Sequence, residues 1–457
     1  MHISLNEHLT GKKIFFAVIA PVCMMVFSSL YTIADGVFMA NLVGGDAFAG
    51  NNLVWPYIAV LSSVGFMLGT GGAALVGKLL GEKQQEKASQ TFSLIVYTVV
   101  ALGVVLGVVG FFNVEPFAIW MAKLSSESTE AMVEYGITYG KILSVGLPAF
   151  MLQLLFQSFF STAEKPYTGF LFILGAGFTN IVLDAVFMGL LHMGVEGAAF
   201  ATIIGYCVGG VLPLVYFRFS KKTPFRLGKT LMDWKAIGQS VSNGISEFVS
   251  NISASILAIC YNAQLLRYVG PVGVSSYGII MYFSYTFMAV FIGYTIGISP
   301  FISYQFGAKN QKELHHLFRR SLFIVGAMGI TMFLLSEALG PLLAIAFANG
   351  DPALEEMAGY ATRVYSFVFL TCGFSVFGSA FFTALNNGLV SGVISIVRTL
   401  VFELAAVFLL PLLLSVDGIW SSAAFAEIGS TALTVFFFVK EKKRYGYYKL
   451  DPVIRTV

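Results

Sequence analysis

The chain has 457 residues, of which 57% are hydrophobic and only 11% are Asp, Glu, Lys or Arg. Soluble domains are about 45–50% apolar and about 25% charged, so this composition excludes a soluble protein. The net charge is only +3, and no polybasic tract of the kind that binds nucleic acid is present. Apolar runs recur along the whole chain and predict a multi-pass protein embedded in a lipid bilayer.

Twelve of these runs are long enough to cross the hydrocarbon core as a helix, which takes about 20 residues. The runs are continuous, whereas the strands of a membrane β-barrel alternate, so we expect an all-α integral membrane protein with twelve transmembrane helices. The first run is too long for a cleavable signal peptide and should remain as the first span. The predicted spans are 13–40, 53–77, 90–113, 136–162, 167–191, 195–219, 237–266, 276–305, 316–339, 359–385, 389–414 and 416–440.

Basic residues are distributed unevenly between the two sides of these spans. Of the 27 Lys and Arg, 22 fall in the N-terminal segment, the even-to-odd connections and the C-terminal tail. The opposite connections hold three, namely Lys123, Arg267 and Arg363. The positive-inside rule therefore predicts a plasma (inner) membrane protein with both termini in the cytoplasm.

The two halves of the chain resemble each other. At an offset of 226 residues, "GEKQQEK" at 81–87 overlies "GAKNQKE" at 307–313, and Gly44 overlies Gly270. Six spans repeated in the same orientation predict two pseudo-symmetric six-helix bundles around a central cavity. The predicted division is a first bundle at 1–219, a cytoplasmic linker at 220–236, a second bundle at 237–440 and a cytoplasmic tail at 441–457.

Three stretches resemble the multidrug and toxic compound extrusion (MATE) family: "ADGVFMANLVG" at the end of span 1, "GGAALVGKLLGEK" at the end of span 2, and "NIVLDAVFMGLLHMGVEGAAFAT" across spans 5 and 6. The resemblance covers the whole chain. It implies a secondary active antiporter that exports organic, cationic or amphipathic compounds in exchange for H⁺ or Na⁺, by alternating access of two bundles. The sequence holds no enzyme motif. We expect a monomer that needs no cofactor beyond its coupling ion and has small organic molecules as substrates.

Carboxylates at mid-bilayer are costly, so each one is a functional candidate. Asp35 in span 1 and Asp184 in span 5 are expected at similar depth, with Asn180 one turn from Asp184 and Thr202 reaching the same level from span 6. Their oxygens can ligate a hard cation such as Na⁺, or the two acids can share one proton. The resemblance implies that these four positions form the ion-coupling site. The alternative is a polar cluster that only fixes helix packing.

Glu247 in span 7 is the clearest lone acid of the second bundle. Some MATE proteins pair a helix 7 acid with a helix 10 Asp in a second cation site, but span 10 has no acid here, so the resemblance leaves that site incomplete. We therefore favour proton coupling. Glu247 is expected either to face the cavity and pair with a cationic substrate or to make a structural hydrogen bond. In the aromatic and Met-rich span 8, substrate contact and plain packing remain open for Tyr277, Met281 and Tyr282.

The remaining intramembrane charges are Arg398, Glu403 and Glu427, which we expect to include a structural ion pair. Pro21 is expected to kink span 1, either as a hinge or as a static bend. One alternative function is a flippase for a lipid-linked saccharide precursor, but its cavity would need several basic groups, and the spans offer only Arg398 and Lys141. A channel or a membrane enzyme is a further alternative, which lacks supporting motifs.

Overall fold

A computed structural model describes residues 3–123, 129–348 and 351–447, and within these ranges all regular secondary structure is helical. Eleven of the described helices are long and apolar enough to cross a membrane, and one bent pair supplies a twelfth. The predicted all-α, twelve-span membrane fold is thus confirmed. The spans are α1 Gly11–Leu42, α2 Gly45–Gly81, α3 Gln85–Ala122, α4 Glu130–Thr162, α5 Pro166–Leu190, α6 Gly194–Phe219, α7 Trp234–Tyr268, α8 Pro271–Gly307, α9 Gln311–Ala348, α10 Pro352–Ser366 with Val368–Ala384, α11 Gly388–Leu414 and α12 Val416–Tyr445.

The helices extend further than the predicted spans. Helix α2 begins at Gly45 rather than at 53, and α3 ends at Ala122 rather than at 113. A helix of 37 residues, such as α2, is about 55 Å long at 1.5 Å per residue. A bilayer with its headgroups is about 40–45 Å thick, so these helix ends project into water. An apolar run marks only the hydrocarbon crossing and not the full helix.

Helix α10 departs from the prediction of one straight span at 359–385. It is bent by 47° where Ser366 is followed by Phe367. The Ser366 hydroxyl donates to the carbonyl oxygen of Arg363, 2.7 Å away, and also to Glu337 of α9. A serine that bonds back to its own helix competes with the backbone hydrogen bonds and often bends the helix.

The backbone repeats itself in the two halves of the chain. Lys83 after α2 and Lys309 after α8 both have positive φ, at 62° and 54°, which is uncommon for residues other than glycine. Gly44 before α2 and Gly270 before α8 also have positive φ, at 129° and 89°. Helices α1–α6 and α7–α12 therefore form two bundles with the same backbone pattern. The predicted division at the linker 220–236 and the tail beginning at 441 remain proposals, and residues 448–457 of that tail lie outside the described ranges.

The first and last described residues, Ile3 and Tyr447, lie toward one face of the protein, which we call the terminal face. Leu5 accepts a hydrogen bond from Gln305 near the end of α8, and Tyr447 accepts one from His315 near the start of α9. The bundles touch closely near this face, where glycines let backbones meet. A methyl group in place of the Cα hydrogen of Gly71 would lie 2.0 Å from the carbonyl oxygen of Ser240. The terminal face is closed by direct helix packing.

Candidate ion and substrate sites

The structure brings the four candidate ion-coupling residues together inside the first bundle. Asp35, Asn180, Asp184 and Thr202 are all buried, and Asp184 is completely inaccessible. The carboxyl groups of Asp35 and Asp184 lie next to each other. The amide nitrogen of Asn180 donates to the Thr202 hydroxyl, 3.4 Å away, and that hydroxyl donates to the carbonyl oxygen of Ala198. Helices α1, α5 and α6 therefore contribute to one polar cluster.

Most oxygens of this cluster have no hydrogen-bond donor. Both carboxylate oxygens of Asp184, Oδ1 of Asp35 and Oδ1 of Asn180 are buried without a partner among the described residues. No described Lys or Arg forms an ion pair with either acid. Two adjacent carboxylates buried without compensating charge are energetically untenable as a pair of anions. The pair needs a proton or another cation to be stable.

The hydrogen-bonding pattern of the helices changes near this cluster. Helix α5 switches to a π-helical turn over Ala185–Leu190, immediately after Asp184. A second π-turn, Cys207–Val211, follows Thr202 in α6. Single π-turns inside α-helices occur frequently at functional sites. The first turn directly follows Asp184, and the second begins five residues after Thr202.

Tyr139 of α4 also belongs to the cluster and was not identified from the sequence. Its ring is 1% exposed, and its hydroxyl neighbours Asp35 and Thr202. A second polar contact lies nearby, where Gln153 of α4 donates to the hydroxyl of Tyr31, 3.1 Å away. A tyrosine in an apolar span is common as a packing residue, so the sequence carries no specific signal for Tyr139. Its place in the cluster depends on the packing of α4 against α6.

Glu247 of α7 lines a small cavity of about 60 Å³ between the two bundles. Its carboxylate has no hydrogen-bond or ion-pair partner in the described part of the chain. The described lining of this cavity contains no Lys or Arg. Hydroxyl-bearing residues from both bundles line the same cavity: Thr70, Ser158, Thr162, Thr295, Ser299 and Thr383.

The three aromatic and Met candidates lie away from that cavity. The ring of Tyr277 stacks on Tyr261 of α7, with centroids 5.0 Å apart, inside the core of the second bundle. The ring of Tyr282 stacks on Phe347 of α9 with centroids 5.9 Å apart. Met281 packs at the edge of the same core. Contact between these three side chains and substrate therefore remains a prediction.

The charged residues of α11 and α12 form an ion pair inside the second bundle. Arg398 contacts Glu427 with both Nε and a terminal nitrogen at 2.6 Å, and the Ser375 hydroxyl donates to the other carboxylate oxygen at 2.5 Å. Glu403 has a different partner and accepts a hydrogen bond from the Tyr261 hydroxyl, 3.4 Å away. Arg398 and Glu403 both lie in a π-helical turn of α11, Val397–Glu403. The charge of Arg398 is thus neutralised locally.

Pro21 lies within an unbroken α1. Its carbonyl oxygen faces Gly293 of α8. A Cβ atom added at Gly293 would lie 2.5 Å from the Cα atom of Val22, so a side chain there would collide with α1. The proline also leaves one helical carbonyl without its usual donor. The roles of hinge and static bend both remain predictions.

Comparison with known proteins shows the family to which this chain belongs. The MatE family model matches residues 21–186 and 248–409, once in each bundle. The multidrug export protein MepA of Staphylococcus haemolyticus (strain JCSC1435) is 24% identical over 422 residues, which cover 92% of this chain and 91% of MepA. The solved structure of the MATE multidrug transporter DinF-BH has a TM-score of 0.88 at 22% identity and covers 98% of this chain and 99% of its own. An outward-facing MATE transporter of the MOP superfamily has a TM-score of 0.86 at 18% identity, over 96% of this chain and 97% of its own. Because the family model matches most of the sequence and both bundles, the chain belongs to the MATE family, which is a family of transporters and not of enzymes.

Proposed function

We propose that this transporter exports organic cations from the cytoplasm in exchange for protons. The observation that carries the proposal is the buried pair of Asp35 and Asp184, whose oxygens lack donors and whose charge has no fixed partner among the described residues. Such a pair is stable with a bound cation and unstable without one. It can therefore exchange an ion between two conformations of the protein. The names of MepA, a multidrug export protein, and of DinF-BH, a multidrug transporter, support a similar export function here.

The chemistry of the pair favours a proton over sodium. Adjacent carboxyl groups in an apolar surround hold one proton between them, whereas Na⁺ needs several oxygens around ionised acids. In the second bundle Glu247 is a single acid in its cavity, because no second acid is present in the described lining. A second acid there would have supported a sodium site. Sodium at Asp35, Asn180, Asp184 and Thr202 remains the alternative coupling ion.

Glu247 supplies the negative charge for a cationic substrate. It lies in the cavity between the bundles, where each bundle contributes hydroxyl groups. A flippase for a lipid-linked saccharide would need basic groups there, but Arg398 is paired with Glu427 and Lys141 with Glu115. The paired bases therefore favour an organic cation over a pyrophosphate-linked lipid.

The coupling ion can be identified with everted membrane vesicles and a fluorescent organic cation. We expect uptake to collapse when the pH gradient is dissipated at constant sodium. The apparent substrate affinity should also weaken as pH falls, because protonation and a cationic substrate oppose each other by linkage. Uptake that persists without a pH gradient and requires a sodium gradient would overturn proton coupling.

The direction of export requires the terminal face to be cytoplasmic, which we propose for a monomer in the plasma membrane. Cysteines introduced one at a time at Arg226, Lys312 and Asp351, in a background without native cysteines, test this orientation. An impermeant thiol reagent added to intact cells should label only position 351. Labelling at 226 or 312 would refute the orientation.

A further inference from the structure

The N-terminal segment before α1, residues 3–10, connects the two bundles across the terminal face; we call it the N-terminal arm. Ser4 and the backbone nitrogen of Leu5 donate to Glu164 in the α4–α5 connection, at 2.8 Å and 2.7 Å. The carbonyl oxygen of Leu5 accepts a hydrogen bond from Gln305 of α8 at 3.0 Å. The arm is therefore hydrogen-bonded to the first bundle by Ser4 and Leu5 and to the second bundle by Leu5.

The second half of the arm is fixed to α9 by polar contacts at Leu9, whose side chain is fully buried. The backbone nitrogen of Leu9 donates to Oε1 of Glu313 at 3.0 Å. The carbonyl oxygen of Leu9 accepts hydrogen bonds from Nε2 of His316 at 3.1 Å and from Arg320 at 3.0 Å. These contacts hold Glu313 and His316 in place beside His8.

His8, Glu313 and His316 form a cluster of potential metal ligands. Nδ1 of His8 lies 2.6 Å from Oε2 of Glu313, and the rings of His8 and His316 have centroids 4.6 Å apart. One ligand atom from each side chain lies within 4.8 Å of the other two. Glu313 and His316 are three residues apart on α9, the Glu-x-x-His spacing that directs a carboxylate and an imidazole toward one metal in helical bundles.

The environment of the cluster suits a metal better than a simple hydrogen bond. His316 donates from Nε2 to a backbone carbonyl, which leaves Nδ1 with a lone pair in the neutral ring. Metal-binding histidines are usually oriented in this way by a hydrogen bond from the second nitrogen. The Glu313 side chain is 9% exposed and that of His8 is 61% exposed, so the site has a fixed acid and an open entrance.

We propose that His8, Glu313 and His316 bind a divalent transition metal ion of the Zn²⁺ class and that the bound ion locks the arm onto the second bundle. Two imidazoles and one carboxylate are a donor set that Zn²⁺ accepts, with water in the fourth position. Because the arm is also bonded to Glu164, the locked arm joins both bundles at the terminal face. The ion should therefore hold this face closed and slow transport. The inhibition rests on the proposed alternating-access transport, whereas binding of the ion does not.

Zn²⁺ titration of the purified full-length protein, without a histidine tag, tests the site by calorimetry. We expect one saturable site in the wild type, with affinity at least about tenfold weaker in His8→Gln and in His316→Gln. His315→Gln is the matched control, because His315 is adjacent on α9 but bonds to the carbonyl oxygen of Tyr447. Zn²⁺ should also raise the unfolding temperature of the wild type and of His315→Gln but not of His8→Gln. Because His8 is largely exposed, its replacement should leave folding intact.

Absence of saturable binding in the wild type would overturn the site, as would equal Zn²⁺ affinity in wild type, His8→Gln and His316→Gln. The locking role is tested separately in proteoliposomes, with Zn²⁺ supplied on the terminal face. Transport by the wild type and by His315→Gln should slow, and transport by His8→Gln should not. If Zn²⁺ binds with the expected ligand dependence but all three proteins transport at unchanged rates, the lock is contradicted.

Discussion

The two bundles repeat one backbone pattern, but the acid pair of the first bundle and Glu427 of the second are partnered in opposite ways. In the first bundle Asp35 and Asp184 lie together, and their oxygens lack donors among the described residues. In the second bundle Glu427 is bound by Arg398 and by the hydroxyl of Ser375. An acid with a fixed partner has its charge balanced by the fold, whereas an acid pair without one takes its balancing charge from a mobile ion. This difference is the reason we propose ion exchange in the first bundle.

The largest effect should come from removing either acid of the first bundle. Asp35→Asn and Asp184→Asn should each abolish gradient-driven export, because one carboxyl group alone no longer holds a shared proton. The double variant should be no worse than either single one, as expected for groups that act as a unit. Asp46→Asn, at an acid in the first turn of α2 that accepts a bond from Thr129, is the matched control. Near wild-type export by both single variants would move the coupling site elsewhere, with Glu247 as the next candidate.

Breaking the pair of the second bundle should damage stability rather than coupling. Arg398→Met leaves Glu427 buried without its partner, which typically costs about 3–5 kcal/mol of the free energy of unfolding. Combining Arg398→Met with Glu427→Gln should recover most of that loss, because no charge is then left unpaired. Thermal unfolding of the purified proteins measures the loss of stability and its recovery. Arg363→Met, at an exposed site, is the control. Equal stability of Arg398→Met and the wild type would remove the contrast between the bundles.

A smaller effect is expected at Glu247, the acid between the bundles. Glu247→Gln keeps the shape of the side chain and removes its charge. The affinity for a cationic substrate should fall by about tenfold, or ~1.4 kcal/mol, while the affinity for a neutral substrate stays unchanged. Equilibrium binding of one cationic and one neutral compound separates the two cases. An equal loss for both compounds would show that Glu247 acts through structure and not through charge.

The smallest effect should follow the loss of one hydroxyl group beside the acid pair. Tyr139→Phe preserves the buried ring and removes its polar contact with Asp35. A single hydrogen bond contributes about 0.5–1.5 kcal/mol, so the apparent affinity for the coupling ion should change by about two- to tenfold. Tyr135→Phe, on the same helix at an exposed position, should have no effect. A null result for Tyr139→Phe in the ion dependence of transport would place that residue outside the ion site.

The elements governed by hydrophobicity were predictable from the sequence, because each apolar run has to cross the same hydrocarbon thickness. The grouping of Asp35 with Asp184 followed from the rarity of acids in spans and from their expected depth. Glu247 stood out for the same reason. These inferences needed only the cost of a charge in lipid and the rise of a helix.

Features that depend on the packing of particular side chains were not predictable. The bend of α10 lies at Ser366, which bonds back to its own helix, and no Pro or Gly adjoins it to mark the position. The π-turn after Asp184 has no sequence signature. Tyr139 joins the acids because α4 packs on α6 and so brings this side chain to Asp35 and Thr202. The contact of His8 with Glu313 spans about 300 residues of sequence and follows from the closed terminal face.

The central claim is that the Asp35–Asp184 pair exchanges a proton for the substrate, and proton release on substrate binding tests it most directly. A cationic substrate is added to the purified protein in weakly buffered solution, and released protons are followed with a pH-sensitive dye. We expect the wild type and Asp46→Asn to release protons in proportion to bound substrate, and Asp35→Asn and Asp184→Asn to bind substrate without release. Equal proton release from all four proteins would contradict the claim.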